Sequence, residues 1–424
     1  MHQSVMHILY ITNHFSLPDQ PGAPRPWQVA RHLQKQGYFV TVLTNRRHYL
    51  DESIHINNQT ICKNDEHERI DIIGVETIPG RRKSLSYRVV NYFIFSLKIL
   101  LRGLNLSKID AVIAGTPPIF TPIAGRLIGW RHHAFTILEI RDLHPEKAVA
   151  IQAIRSNYLI CLWRFYEFIM RNVYHHLVAV EPSTHRRLLE KDFSFNKLTL
   201  IPNGIDEEHM RPRPLPDFLK AQFLRYKNWT IVTYGGGLGI GNFLHPVFEA
   251  ADLCRHEQVV FFIFGEGEMK NEYMAYVNNK KLQNVCFFPL QTRQIINEVF
   301  RRSTVLIYSV RKDIFFHGLM TNKIFEYLAS GRPIVFSGKG DMAKIIRDAR
   351  AGICVDPEDP YKIDQAVRFL IKNPASGDLM GQNGKLYVVK HHLRNRIFDK
   401  WQKVLSVINP EDDHAVKINE TRLP

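Results

Sequence analysis

Residues 317–335 read HGLMTNKIFEYLASGRPIV. Thr321 or Asn322 can cap a short helix whose apolar residues Ile324, Phe325 and Leu328 face a core. Gly331 can end that helix, and Pro333 opens a β-branched strand. A loop therefore hands backbone N–H groups to a helix N-terminus, an end that favours anions. Lys323 and Glu326 stand three apart, on neighbouring parts of one helical face. A solvated Lys/Glu pair on a crossover helix has the same spacing. A cation beside a hydroxyl acceptor also suits a nucleotide diphosphate and its ribose.

The alternation of strand and helix continues upstream of this stretch. Residues 230–254, TIVTYGGGLGIGNFLHPVFEAADLC, give a β-rich run, a glycine cluster and a helix. Glycines such as Gly237 and Gly239 let a phosphate approach the backbone closely. A dehydrogenase would place an acidic ribose partner about twenty residues on, at the end of a second strand. Glu257 instead precedes the next strand, so that reading is set aside. The strand VVFFIF then runs into Gly265-Glu266-Gly267-Glu268, and NVCFF runs to Leu290.

The first half has the same grammar. HILYITN (7–13) is a buried strand, LPDQPGAPRP (17–26) a long loop, WQVARHLQKQGY a helix stopped at Gly37, and FVTVLTN (39–45) a second strand. IDAVIAGTPP and AFTILEIRDLHPEKAVA add two more strands with polar loops at their ends. Asp142, at such an end, can orient a hydroxyl or cap a helix, and His144 can add a donor. LTLIPNGIDEEHM closes this half, and the proline-rich, charged run from 211 to 228 reads as a linker.

Several of these segments resemble retaining glycosyltransferases of family 4. Their donor-site segment runs E, seven residues, then E-x-x-A-x-G-x-P-V, and Glu326, Ala329, Gly331, Pro333 and Val335 match its second half. Gly318 stands where the first acid is usual, and Thr321-Asn322-Lys323 is similar to a run found in a subgroup that builds bacterial surface polysaccharides. Pro21-Gly22-Ala23-Pro24-Arg25 looks like the family's first glycine turn with one glycine lost. Arg141-Asp142 sits where the family often has His-Asp, and the 202–206 run PNGID resembles its interdomain turn.

The resemblance implies a GT-B fold: two Rossmann-like α/β domains facing a cleft. Residues 1–210 would form an acceptor-side domain, 229–390 a nucleotide-sugar domain, 391–409 a helix crossing back, and 410–424 a tail. It implies sugar transfer, with retention, from a nucleotide-sugar, UDP-linked in this reading, to a lipid-diphosphate-linked saccharide. Donor contacts would come from Gly237, Gly239, Gly265, Gly267, Leu290, Gly318, Thr321, Asn322 and Glu326. Acceptor contacts would come from Gly22, Arg25 and Arg141, and the reacting centre would be served by Asp142, His144 and Lys323. The family's usual Arg and Lys near the glycine loop are lacking, which leaves Lys323 to carry that charge. No D-x-D run lies between the candidate loops, so neither a metal nor a cofactor is expected. A nucleotide-sugar epimerase of the same architecture and a non-catalytic membrane-docked scaffold are the competing readings.

Composition narrows the partners. The 424 residues carry a net charge of +15 and are 45% hydrophobic, an ordinary globular balance with attraction for polyanions. No zinc-finger spacing or RNA-binding aromatic motif points to nucleic acid. Cys62, Cys161, Cys254, Cys286 and Cys354 lie far apart, with no C-x-x-C, so reduced thiols are expected. The start lacks a secretory pattern, and no apolar run reaches the ~20 residues of a membrane span.

Residues 81–105 carry basic residues and no acidic one around an apolar centre. At 100° per residue Ser84, Arg88, Asn91, Lys98 and Arg102 form one stripe, with Val89, Val90, Phe93, Leu97 and Leu101 elsewhere. Either a crossover helix buried on its apolar side or a helix on an anionic membrane fits this pattern. The second reading places the protein in the cytoplasm, on the inner face of the plasma membrane.

Overall fold

A computed structural model describes residues 5–18, 20, 24–48, 53–63, 65–79, 85–141, 157–190, 195–312 and 321–408. Gly22, Asp142, His144 and Gly318 lie outside these residues.

The apolar runs become strands with no polar alternation because both sheet faces are covered. In the first half these are β1 (His7–Thr12), β2 (Phe39–Asn45), β3 (Gln59–Lys63), β4 (Asp65–Val75), β5 (Ala111–Thr116), β6 (Phe135–Ile140), β7 (His176–Ala179) and β8 (Leu198–Leu200). They form one sheet in the order β3-β4-β2-β1-β5-β6-β7-β8, parallel except for the β3–β4 edge pair. The register sets His7 opposite Phe39 and Ile8 opposite Ala111. The second half forms a parallel sheet, β11-β10-β9-β12-β13-β14. Its strands are β9 (Thr230–Gly235), β10 (Val259–Phe264), β11 (Val285–Phe288), β12 (Val305–Ser309), β13 (Ile334–Ser337) and β14 (Gly352–Val355).

Each sheet reverses its winding direction once, between β1 and β5 in the first and between β9 and β12 in the second. Loops part at such a switch point, and ligands of open α/β sheets lodge outside the strand C-termini there. The quoted stretch follows β12: its helix is Asn322–Ser330, and Gly331 at φ +74° ends it. Two α/β domains, each wound on both faces, are the architecture that the sequence predicts.

The boundaries differ from the linker reading. Asp217–Arg225 is a helix, and Leu215, Leu219 and Tyr226 pack with Ile231, Val260 and Phe262 under the second sheet. Prolines and charges marked the surface of this segment, while its apolar spacing joined it to the second domain. The chain then leaves that domain after the helix Pro374–His391 and bridges Leu393 to Ile205. Ile397, Phe398, Trp401, Val404 and Leu405 enter the core of the first domain beside Val29 and Leu33. Arg394 ties the crossing down by ion-pairing with Asp206 and donating to the Gly204 carbonyl. A second tie comes from Asp341, whose carboxylate accepts from the Ser183 N–H (2.9 Å) and from Arg186 (2.7 Å). A cavity of about 450 Å³ opens between the domains, lined among others by Trp27, Gln28, Asp206 and Arg293.

Trp401 is fully buried in the first domain although the crossing segment follows the second in sequence. Trp401→Ala is therefore expected to cost about 3–5 kcal/mol, the range for an emptied aromatic site. Urea unfolding measures this, and a loss below about 1 kcal/mol would show that the crossing segment does not complete the core.

Candidate active site

At the second switch point the loop after β9 is fixed by side chains from below. Tyr234 and the Asn242 amide both donate to the Gly237 carbonyl at 2.8 Å. Tyr308 donates to Asn242 Oδ1 at 2.8 Å, and the Tyr327 hydroxyl accepts the Gly235 N–H at 3.0 Å. The glycines divide into two kinds. Gly265 has φ +151°, and a Cβ there would lie 1.8 Å from the Gly236 carbonyl oxygen; a Cβ on Gly267 would lie 2.2 Å from that of Leu238. These two serve loop-on-loop packing. Gly237 and Gly239 face open space, their nearest neighbours 3.8 and 3.9 Å from an added Cβ. This pair leaves room for a ligand against the backbone. Leu290 is half-buried just past β11.

Thr321 is the N-cap of the quoted helix, in extended geometry and without a side-chain capping bond. The helix end thus keeps N–H groups that have no intrahelical partner. Lys323, in its first turn, folds back so that its ammonium lies 5.3 Å from the Tyr308 ring centre and 5.7 Å from that of Tyr234. A Cβ on Gly236 would come within 2.1 Å of Lys323 Nζ, so the lysine fills the space which that glycine leaves. Burial pulls the ammonium down to about 8, with Glu326 opposing the shift. Among the described residues no carboxylate is ion-paired with it. Glu326 is turned instead to Arg293, whose Nε donates to Oε1 at 2.6 Å, both side chains largely buried. The result is a desolvated cation at a helix N-terminus, beside a carboxylate already oriented by an arginine.

The first switch point is built around a buried charge. Glu139, inside the apolar strand FTILEI, is wholly buried. Its Oε1 accepts from Arg25 at 2.9 Å, and its Oε2 accepts from Tyr10 and from Arg141, each at 2.7 Å. Burial alone would raise this carboxyl, but the Arg25 and Arg141 guanidinium groups and the Tyr10 hydroxyl outweigh it and hold it at about 2. Two cations against one anion leave a positive balance at the strand ends.

Arg25 requires a correction. It is 3% exposed, and every nitrogen of its guanidinium donates inside the fold: to Glu139, to the Ile201 and Pro202 carbonyls, and to Asn203. It braces the interdomain turn and offers no contact to an acceptor phosphate. Arg141 donates to Glu139, Thr12 and Tyr10 but keeps 15% of its side chain exposed at the end of β6. Lys323, Glu326, Asn322, Thr321, Gly237 and Gly239 thus converge on the second switch point, and Arg141 edges the first. Arg293 and the three tyrosines were missed. Arg293 stands in an ordinary helix-start pattern, whereas Glu139 carried a signal, since a lone carboxylate in an apolar strand demands a cation.

The Glu139 cluster makes stability depend on acid. A carboxyl held at about 2 when folded, against an ordinary 4.5, contributes about 3 kcal/mol above pH 4.5 that is lost as the pH falls toward 2. Glu139→Gln should remove that acid limb and cost about 3–5 kcal/mol at pH 7, because two guanidinium groups lose their shared anion. Urea unfolding at pH 3 and pH 7 tests both; an unchanged acid limb in the variant would contradict the assignment.

Comparison with known proteins agrees with this geometry. Residues 27–209 match the model of "Glycosyltransferase Family 4", and residues 240–373 match that of "Glycosyl transferases group 1". The chain is 22% identical over 276 residues to the putative colanic acid biosynthesis glycosyl transferase WcaI of Escherichia coli, covering 63% of this chain and 67% of that protein. Among solved structures it resembles sucrose-phosphate synthase of Thermosynechococcus elongatus, with a TM-score of 0.71 at 14% identity over 95% of this chain and 99% of that one. Anabaena HepE in complex with UDP-glucose superposes with a TM-score of 0.67 at 14% identity, over 95% of this chain and all of the other. The two matched models fall on the two doubly wound domains, the first beginning after β1 and the second after β9. The chain is a glycosyltransferase of the GT-B fold.

Proposed function

We propose that this enzyme moves a sugar from a UDP-sugar to a lipid-diphosphate-linked saccharide in bacterial surface-polysaccharide synthesis, with retention at the anomeric carbon. The observation that carries the donor half is the desolvated Lys323 ammonium at a helix N-terminus, next to open backbone at Gly237 and Gly239. HepE, similar in fold, is known with UDP-glucose, and WcaI is named for colanic acid, which supports the donor and the pathway class. The acceptor half rests on the positive balance of Arg25, Glu139 and Arg141, with Arg141 exposed enough to meet a diphosphate.

In this reading the diphosphate of the donor lies on the helix end, and Glu326, set by Arg293, accepts from the ribose hydroxyls. As the sugar–phosphate bond lengthens, negative charge gathers on the leaving oxygen. Lys323 and the fixed N–H dipoles meet that charge without reorganising, and the dry setting strengthens their effect. Asp142 and His144, following β6, would orient the acceptor hydroxyl from the other domain. No metal or cofactor enters this scheme.

UDP release measured with a donor panel, with and without a polyprenyl-diphosphate saccharide, tests it. Acceptor-dependent release is expected; interconversion of free nucleotide-sugars would identify an epimerase, and neither activity a scaffold. Lys323→Ala should lower kcat by about 10²–10³, the loss typical of one oxyanion-stabilising donor. Glu326→Ala should raise the donor KM about 10–100-fold, the loss of a charged hydrogen bond. Rates near the parent in both variants would reject this donor site.

The pH profile supplies a second check. A lysine at about 8 is cationic below that pH, so donor affinity should fall as the pH rises through about 8. Lys323→Arg, whose charge persists, should abolish that fall. An equal alkaline fall in both proteins would remove Lys323 from donor binding.

A further inference from the structure

The helices Leu85–Leu104, Thr121–His132 and Asn157–Val173 lie side by side on one face of the first sheet. Phe93 meets the Phe120 ring edge-on at 5.8 Å, and Gly103 is so close to Ile128 that a Cβ would fall 2.4 Å from its Cδ1. Tyr174, just past the third helix, donates to the Pro122 carbonyl at 2.6 Å.

The first helix is turned opposite to the crossover reading of its sequence. Asn91, Phe95 and Ile99 face the core, Asn91 donating to the Ile78 carbonyl at 2.9 Å. Val89, Val90, Phe93, Leu97 and Leu101 face outward, each between 45% and 55% exposed. Its neighbours extend the same surface. Trp130 is 71% exposed, and Phe165 and Phe168 are 60% exposed each. Apolar side chains on three adjacent helices make a patch larger than scattered surface hydrophobics account for.

Charge says what covers it. The three helices carry seven arginines and lysines and a single acid, Glu167, and Lys98, Arg102, Arg131 and Arg164 are exposed around the apolar centre. A two-fold contact with a second copy would set these cations against their own equivalents, since such an interface pairs a surface with itself. An anionic bilayer offers the opposite sign and an apolar interior, and tryptophan favours the boundary between them. The third helix also turns Trp163, Tyr166 and Met170 inward, toward a small apolar crevice that Thr116, Ile140 and Arg171 also line.

We propose that these three helices form one docking face for an anionic lipid bilayer, in which Trp130, Phe165 and Phe168 enter the interface and the surrounding arginines and lysines meet the headgroups. The face stands independently of the donor site. Co-sedimentation of the full chain with vesicles of phosphatidylcholine containing 30% phosphatidylglycerol, against pure phosphatidylcholine, tests it. At least tenfold stronger partitioning to the anionic vesicles is expected, falling as salt is raised. The triple variant Trp130→Ser, Phe165→Ser, Phe168→Ser should lose at least tenfold, with an unchanged melting temperature and unchanged UDP affinity. The charge variant Lys98→Glu, Arg102→Glu, Arg131→Glu should lose the preference for anionic lipid. Absence of binding to anionic vesicles, or equal binding by parent and triple variant, would overturn the proposal. So would a dimer in sedimentation analysis that the triple variant dissociates, which would assign the face to a second copy. Because UDP affinity is read in parallel, failure of the docking face is distinguishable from failure of the donor site.

Discussion

A lysine ammonium withdrawn from water and held against two tyrosine rings is unfavourable unless something anionic arrives. Lys323 is in that position, and its surroundings keep it there. Tyr234, Tyr308 and Tyr327 hydrogen-bond the glycine loop from beneath, Gly236 leaves the space the lysine fills, and Arg293 holds Glu326 to one side. A tight structure that leaves one charge uncompensated stores free energy that a ligand can release, which is how binding sites trade stability for affinity. The switch point between β9 and β12 is where the fold can hold such a charge, because the loops there diverge and no strand crosses.

The two sides of the cleft treat charge differently. On the first domain, Glu139 compensates most of Arg25 and Arg141 and converts them into struts that tie β1, β6 and the interdomain turn together. On the second, the cation is left without a salt bridge among the described residues. A structural cluster and a binding site can thus use the same residue types, and the position of the carboxylate decides between them. The crossing segment that carries Trp401 makes the first domain's core depend on chain that has already passed through the second.

Much of this was legible in the amino-acid order. Strand runs such as HILYIT and FVTVLTN announced a doubly wound sheet, and the TNK-to-GRP stretch fixed both ends of its helix. What the order concealed were choices made in three dimensions. Arg25 looked like a loop cation and proved to be buried, because its partner Glu139 lies 114 residues on. Arg293 reaches Glu326 across 33 residues, with nothing local to mark it. The helix 85–104 kept its amphipathic pattern but turned its apolar side outward, since the sheet beneath is satisfied by Phe95 and Ile99. Proline and charge between 211 and 228 suggested a linker, yet Leu215, Leu219 and Tyr226 carry enough apolar surface to seal the second sheet.

The donor site is defined by where the nucleotide diphosphate is held, and a crystal structure of the protein grown with UDP locates it most directly. The prediction is a diphosphate within hydrogen-bond distance of Lys323 Nζ and of the N–H groups at the start of the Asn322 helix, with a ribose hydroxyl on Glu326. A nucleotide seated in another crevice, with Lys323 still lying unmoved beside Tyr234 and Tyr308, would contradict it.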